Sequence, residues 1–153
     1  MHSYISIAFL FLQLGFAIFL IYWIIAFLTG APFVPSTDPT AESMIALAKL
    51  KPGMKVYDLG SGEGKLLRLA ARQGANTVGI EINPWLVLFS TIRGLLSPNR
   101  RRIAVRWQSF WKTSLTDANV VFIYLLPWRM PRLEKKLQKE LEAMDLERTA
   151  QRT

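Results

Sequence analysis

The hydrophobic and polar positions of this chain fall into two regimes. From Ser3 to Thr37 there is no charged residue, and "YISIAFLFLQLGFAIFLIYWIIAFL", Tyr4 to Leu28, is apolar around the whole circumference of a helix. At ~1.5 Å per residue such a helix would span roughly 36 Å, enough to cross a bilayer. A helix that is hydrophobic on every side needs either a membrane or the interior of a large protein. A secretory signal peptide would want a basic start, a shorter apolar core and a small-residue cleavage site. Only His2 and the amino terminus could supply the basic start here, and the apolar run is too long. The pattern therefore predicts an uncleaved single span over residues 1–29, with Tyr22 and Trp23 near one interface.

Beyond the span the period changes. "TGAPFVPSTDPT" carries Pro32, Pro35 and Pro39, which predict an extended connector over 30–40 that cannot be helical. "AESMIALAKL" puts Ala41, Met44, Ile45 and Ala48 on one face of a short amphipathic helix, and "KPGM" is a turn. Strand and helix patterns then alternate: "KVYDL" a strand, "KLLRLAARQ" a helix closed by Gly74, "TVGIEI" a strand. "NPWLVLFSTIRGLL" opens with an Asn cap and a Pro at the first helical position. "RIAVRW" and "NVVFIYLL" read as third and fourth strands, and "MPRLEKKLQKELEAMDLE" as a surface helix with Leu133, Leu137 and Leu141 on its inner face. This order predicts an α/β domain over 41–146 with a Rossmann-like parallel sheet and right-handed crossovers, followed by a polar tail at 147–153.

Charge refines the picture. All 19 Lys and Arg and all 11 Asp and Glu follow the span, and the first basic residues after it are Lys49, Lys51 and Lys55. The positive-inside rule places the carboxyl-terminal domain on the cytoplasmic side of the membrane or its organellar equivalent. A net charge of +8 suits nearness to anionic headgroups. "NRRR", Asn99 to Arg102, is the one concentrated basic patch; a solvated or lipid-facing loop explains it as well as a nucleic-acid surface does. With no cysteine and one histidine, disulfides and thiolate metal sites are excluded and a His-based triad or metal site is disfavoured.

The candidate chemistry lies in "VYDLGSGEGKL", Val56 to Leu66, where a glycine loop follows the first strand at the carboxyl end of the sheet. A dinucleotide loop needs a small residue at the sixth position. Counting from Gly60 that position is Lys65, and counting from Gly62 it is Leu67, so both registers fail. No P-loop is present either. What does occur is Asp58, two residues before Gly60-Ser61-Gly62-Glu63-Gly64, and Glu81 at the end of the next strand, 21 residues after Gly60. Two carboxylates beside a close-approach loop suit a ligand with an ammonium and ribose hydroxyls, which describes S-adenosylmethionine better than a pyrophosphate. An NAD-binding oxidoreductase would require the glycine spacing to be ignored.

With those residues in place the sequence resembles the class I, seven-β-strand S-adenosylmethionine-dependent methyltransferases. The span, "GAPFVPS", "VYDLGSGEGKL", "VGIEINPWLV", "SFWKTSL" and "NVVFIYLLPWRMPRLEKKLQKEL" are similar, more narrowly, to the membrane-anchored lysine methyltransferases that include the mitochondrial enzymes modifying the ATP synthase c-subunit and the adenine nucleotide translocase. The resemblance implies that Asp58, Gly60, Gly62 and Gly64 line the methionine and ribose side of the cofactor site and that Glu81 receives the ribose hydroxyls. Ser61, Glu63, Ile82 and Asn83 complete the cofactor-binding set, and Phe110 and Trp111 fall beside the adenine. On the substrate side it points to Tyr124 and Pro127, with Trp128, Phe33 and Pro35 as further wall residues of an apolar mouth that would favour a neutral lysine. No metal is implied.

The expected activity is protein-lysine N-methylation of a membrane protein, with the anchor raising the effective concentration of enzyme at its substrate. Nucleic acid is not expected as substrate, since "YLLP" stands where amino-methylating nucleic-acid enzymes carry an N/D-P-P-Y/F/W tetrad. The family continues with three more strands, whereas here "AMDLERTAQRT" has no strand pattern. The expectation is a truncated class I sheet of four strands in the order 3-2-1-4, with strand 4 at an edge that a partner copy would cover. The alternative reading is a catalytically inactive anchored module that binds cofactor or substrate.

Overall fold

Helix α1 (His2–Thr29) forms as the apolar run predicts, and the stretch Tyr4–Ile21 is long and apolar enough, by length and composition, to cross a membrane. The computed structural model describes residues 2–29, 37–124 and 130–150. The chain divides into two units, Met1–Pro32 and Phe33–Thr153. The second unit runs α2 (Asp38–Leu47), β1 (Lys55–Leu59), α3 (Lys65–Arg72), β2 (Asn76–Glu81), α4 (Pro84–Leu95), β3 (Ile103–Trp107), β4 (Val120–Ile123) and α5 (Met130–Ala150).

Two boundaries differ from the sequence reading. The proline-rich connector is not excluded from helix throughout: α2 begins at Asp38 with Pro39 in its first turn, where the missing N–H has no intrahelical partner to lose and the fixed φ suits the helix. The Ala41 amide already donates to the Thr37 carbonyl at 3.0 Å. Helix α5 continues to Ala150 instead of giving way to a tail at 147, as a run rich in Glu, Arg and Ala allows. Phe33, Pro35, Pro127 and Trp128 lie outside the described residues.

The sheet has four strands in the order β3-β2-β1-β4, every pair parallel. Side chains alternate between its faces. On one face Val56 and Phe122 pack with Ala41 and Ile45 of α2 and Leu66 and Ala70 of α3. On the other, Tyr57, Leu59, Val78 and Ile80 pack with Phe110, Leu115 and Leu133 of α5, with Leu137 partly buried beside them. The amino-terminal ends of β1 and β4 are tied by polar contacts: Lys55 ion-pairs with Asp117, and the Tyr57 hydroxyl donates to the same carboxylate at 2.9 Å. A second tie runs from Lys136 of α5, whose ammonium donates to the Thr113 carbonyl at 2.7 Å and to Glu140 at 2.8 Å. These ties leave the carboxyl-terminal ends of β1 and β2 for the glycine loop.

Candidate functional site

Because Tyr57, Leu59, Val78 and Ile80 point to the α5 face, alternation sends Asp58, Gly79 and Glu81 to the opposite face. Asp58 pairs in register with Gly79, so Glu81, two residues further on, is its diagonal neighbour at the end of the adjacent strand. The register thus brings together the two acids that the sequence singled out.

The loop between β1 and α3 closes over them. The Gly60 and Ser61 amides donate to the Ile80 carbonyl at 2.9 and 3.1 Å, and the Gly64 amide turns back to the Ser61 carbonyl at 2.8 Å. Gly60, Gly62 and Gly64 have φ of +84°, +53° and +76°, a region that side-chain-bearing residues adopt only with strain. Gly64 is constrained twice, since a Cβ there would also overlap the Ser90 hydroxyl of α4. Gly79 lacks a side chain for a related reason: a Cβ would sit 2.5 Å from Leu67 Cδ1 and 2.6 Å from Ser61 Oγ. The loop and α3 therefore rest directly on the β2 backbone.

Glu81 organises this arrangement. One carboxylate oxygen accepts the Gly62 amide at 2.9 Å, and the other accepts the Ile82 and Asn83 amides, both at 2.8 Å. Asn83 then caps α4, its side-chain oxygen accepting the Trp85 amide at 2.9 Å. Glu63 points outward and ion-pairs with Arg93 of α4, while its carbonyl accepts from Arg68 at 2.8 Å. Asp58 is held differently. It is buried, and burial together with the Glu81 charge pushes its carboxyl from the ordinary 3.8 up to about 7. No cationic side chain among the described residues offsets that cost.

A cationic, hydroxyl-bearing ligand fits this constellation. Its positive charge would favour ionised Asp58, the glycines leave room for close backbone approach, and the Ser61 hydroxyl is buried without a hydrogen-bond partner. Phe110 is buried in the α5-face core beside Leu59 and Ile80, with Trp111 at the edge of that core, 4.6 Å between ring centroids and under the Arg132 guanidinium. Tyr124 leaves β4 just beyond Ile123, the register partner of Leu59, with its side chain exposed. Three contributors escaped the sequence reading. Gly79 carried a signal, a glycine inside a strand pattern, which marks close backbone approach. Ser90 and Arg93 carried none, because they meet the loop only through the packing of α4.

Parallel strands in this order, an acid-led glycine loop after β1 and an acid closing β2 define a Rossmann-like methyltransferase domain of the S-adenosylmethionine-binding kind. Residues 58–146 match the family described as the ANTKMT methyltransferase domain, and the chain belongs to that family. It is 36% identical over 111 residues to the lysine N-methyltransferase of the ATP synthase c-subunit from Xenopus laevis, covering 72% of this chain and 49% of the relative. It is 33% identical to the adenine nucleotide translocase lysine N-methyltransferase of Mus musculus, covering 72% and 48%. The chain thus spans about half the length of these curated relatives. Among solved structures, an RNA methyltransferase from Salinibacter ruber in complex with S-adenosyl-L-homocysteine superposes with a TM-score of 0.68 at 33% identity, covering 70% of this chain and 71% of that one.

Proposed function

We propose that this chain is an S-adenosylmethionine-dependent protein-lysine N-methyltransferase that acts on a membrane protein. In this reading α1 anchors it and the Phe33–Thr153 unit lies on the cytoplasmic side or its organellar equivalent. The observation that carries the reading is the pair of carboxylates, Asp58 and Glu81, on adjacent strand ends beneath a loop of left-handed glycines. Support for lysine as the target comes from the names of the curated relatives, and support for the anchor from the length and composition of α1.

Asp58 and the loop glycines would hold the amino-acid end of the cofactor and Glu81 its ribose, with the Ser61 hydroxyl free to donate. The cofactor supplies a methyl group on a sulfonium, whose departure needs no general acid. The remaining work belongs to the protein: it must hold an incoming lysine in line, exclude water and keep the amine neutral. Tyr124, which follows β4, and Pro127 are the proposed substrate-side residues of that approach.

The test uses the full chain in vesicles with methyl-labelled S-adenosylmethionine. The ATP synthase c-subunit and an RNA pool are offered in parallel, the RNA because the solved relative is named an RNA methyltransferase. Label on a lysine of the c-subunit, lost in Glu81→Ala, is the expected result. Label in the RNA alone would overturn the choice of substrate. Titration with S-adenosylhomocysteine separates the remaining failures: heat without transfer leaves a binding module, and no heat removes the cofactor reading itself.

A further inference from the structure

Helix α4 carries most of its apolar bulk outward. The residues it fully buries against the sheet are small, Ser90 and Gly94, and Gly94 lies so close to Ile103 that a Cβ would come within 3.2 Å of its methyl group. Leu86 and Val87 are half-buried, whereas Trp85, Leu88, Phe89, Ile92, Leu95 and Leu96 form a stripe on the outer surface, with Trp85 67% and Leu96 80% exposed. On neighbouring β3, Trp107 is 69% exposed, its ring fixed by donation from Nε1 to the Ile82 carbonyl at 2.9 Å. A helix on an α/β sheet ordinarily turns such a stripe inward. A contiguous apolar patch of this kind on the outside marks an interaction surface.

The surrounding charge selects the occupant. Between Glu81 and Asp117 the sequence has no Asp or Glu and six Lys or Arg. Arg93 is engaged by Glu63, and Arg102 by the Gly74 carbonyl at 2.9 Å. Arg100 and Arg101, in the 3-10 turn that follows α4, are exposed. A second copy docked symmetrically would bring the same basic segment against itself. An anionic lipid surface would neutralise it while taking up the apolar stripe, the arrangement of an in-plane amphipathic helix with tryptophans at headgroup depth.

We infer that the outer face of α4, with Trp107, is a docking surface for an anionic lipid bilayer. This rests on the surface of the Phe33–Thr153 unit and not on methyl transfer or on α1 spanning the membrane. The chain has no cysteine, so one introduced thiol reports one site. Full-length Leu88→Cys, and Glu134→Cys on exposed α5 as reference, are labelled with an environment-sensitive fluorophore. Each is reconstituted in phosphatidylcholine vesicles with or without phosphatidylserine, and with headgroup-region spin-labelled lipid as quencher. The expected result is blue-shifted, lipid-quenched emission at position 88 and not at 134, stronger with phosphatidylserine. Adding Arg100→Ser and Arg101→Ser should lower the docked-to-undocked ratio on the order of tenfold. Equal quenching at 88 and 134 in both vesicle types would overturn the proposal. So would disulfide-linked pairs formed by the unlabelled Leu88→Cys protein under oxidant together with no lipid quenching of the labelled one, since a second copy would then own the surface. Because Leu88, Arg100 and Arg101 are exposed, these changes leave the core intact.

Discussion

Replacing Asp58 with asparagine removes a charge that the fold holds at a cost. Burial and the neighbouring Glu81 raise this carboxyl from 3.8 to about 7. Below pH ~4 the group is protonated in both the unfolded and the folded chain and costs nothing. Between pH ~4 and ~7 the unfolded chain gives up its proton while the folded chain keeps it, so stability falls with rising pH by about 1.4 kcal/mol per pH unit. Above pH ~7 the loss levels off at about 4 kcal/mol, a sizeable part of the ~5–15 kcal/mol that holds a domain together. Asp58→Asn abolishes this titration. Thermal unfolding of parent and variant in nonionic detergent should therefore converge near pH 4 and separate near pH 8, the variant melting on the order of 10 °C higher. A cationic ligand reverses the sign for the parent. By stabilising the charged form it should bind more tightly as pH rises toward 7, approaching tenfold per pH unit and releasing a proton below pH 7, whereas the variant should bind weakly with a flat profile. The reasoning fails if the melting curves of the two proteins run parallel from pH 4 to pH 8, for then Asp58 carries no uncompensated charge.

Two further substitutions test the scaffold around that acid. Gly64→Ala forces a side chain into a left-handed conformation and onto the Ser90 hydroxyl; it should destabilise the domain by about 2–4 kcal/mol and abolish binding of S-adenosylhomocysteine. An unchanged melt would show that the loop conformation does not depend on glycine. Leu133→Ala removes a fully buried side chain by which α5 joins the α5-face core; a loss of about 2–5 kcal/mol in denaturant unfolding is expected, and a loss below about 1 kcal/mol would mean that α5 adds little to the fold.

Local signals made much of this fold readable in advance. The alternation in β1 and β2, the Asn83-Pro84 start of α4 and the inner-face spacing of Leu133 and Leu137 each act within a few residues, and each element formed where its pattern stood. Pro39 misled because the same residue that breaks a helix interior is welcome in a first turn. The site divides along the same line. Asp58, the loop glycines and Glu81 stand out by spacing, whereas the amide of Gly62 reaches Glu81 across a sequence separation of 19, and Ser90 and Arg93 reach the loop only once α4 has docked. Phe110 illustrates a different limit. An aromatic residue after β3 suits a ligand wall or a core equally well by composition, and its packing with Leu59, Ile80 and Leu133 becomes visible only once sheet and α5 are assembled.

Helix α4 shows why the two sides of this surface belong together. Its amino terminus begins just after Glu81, and the carboxylate that orders the glycine loop also accepts the Ile82 and Asn83 amides that lead into it. Its inner face must be small at two positions, because Ser90 lies against Gly64 and Gly94 against Ile103. At those two positions α4 has no room for large side chains and only Leu86 and Val87 are half-buried, yet it carries a full stripe of bulky apolar residues on its outer side. Solubility alone would favour polar residues in those outward positions, and neither the sheet nor the loop has any use for the apolar ones. The stripe is therefore what the inferred lipid-docking face of α4 requires. A surface bound there is joined through a single rigid element to the acids proposed to hold the methyl donor.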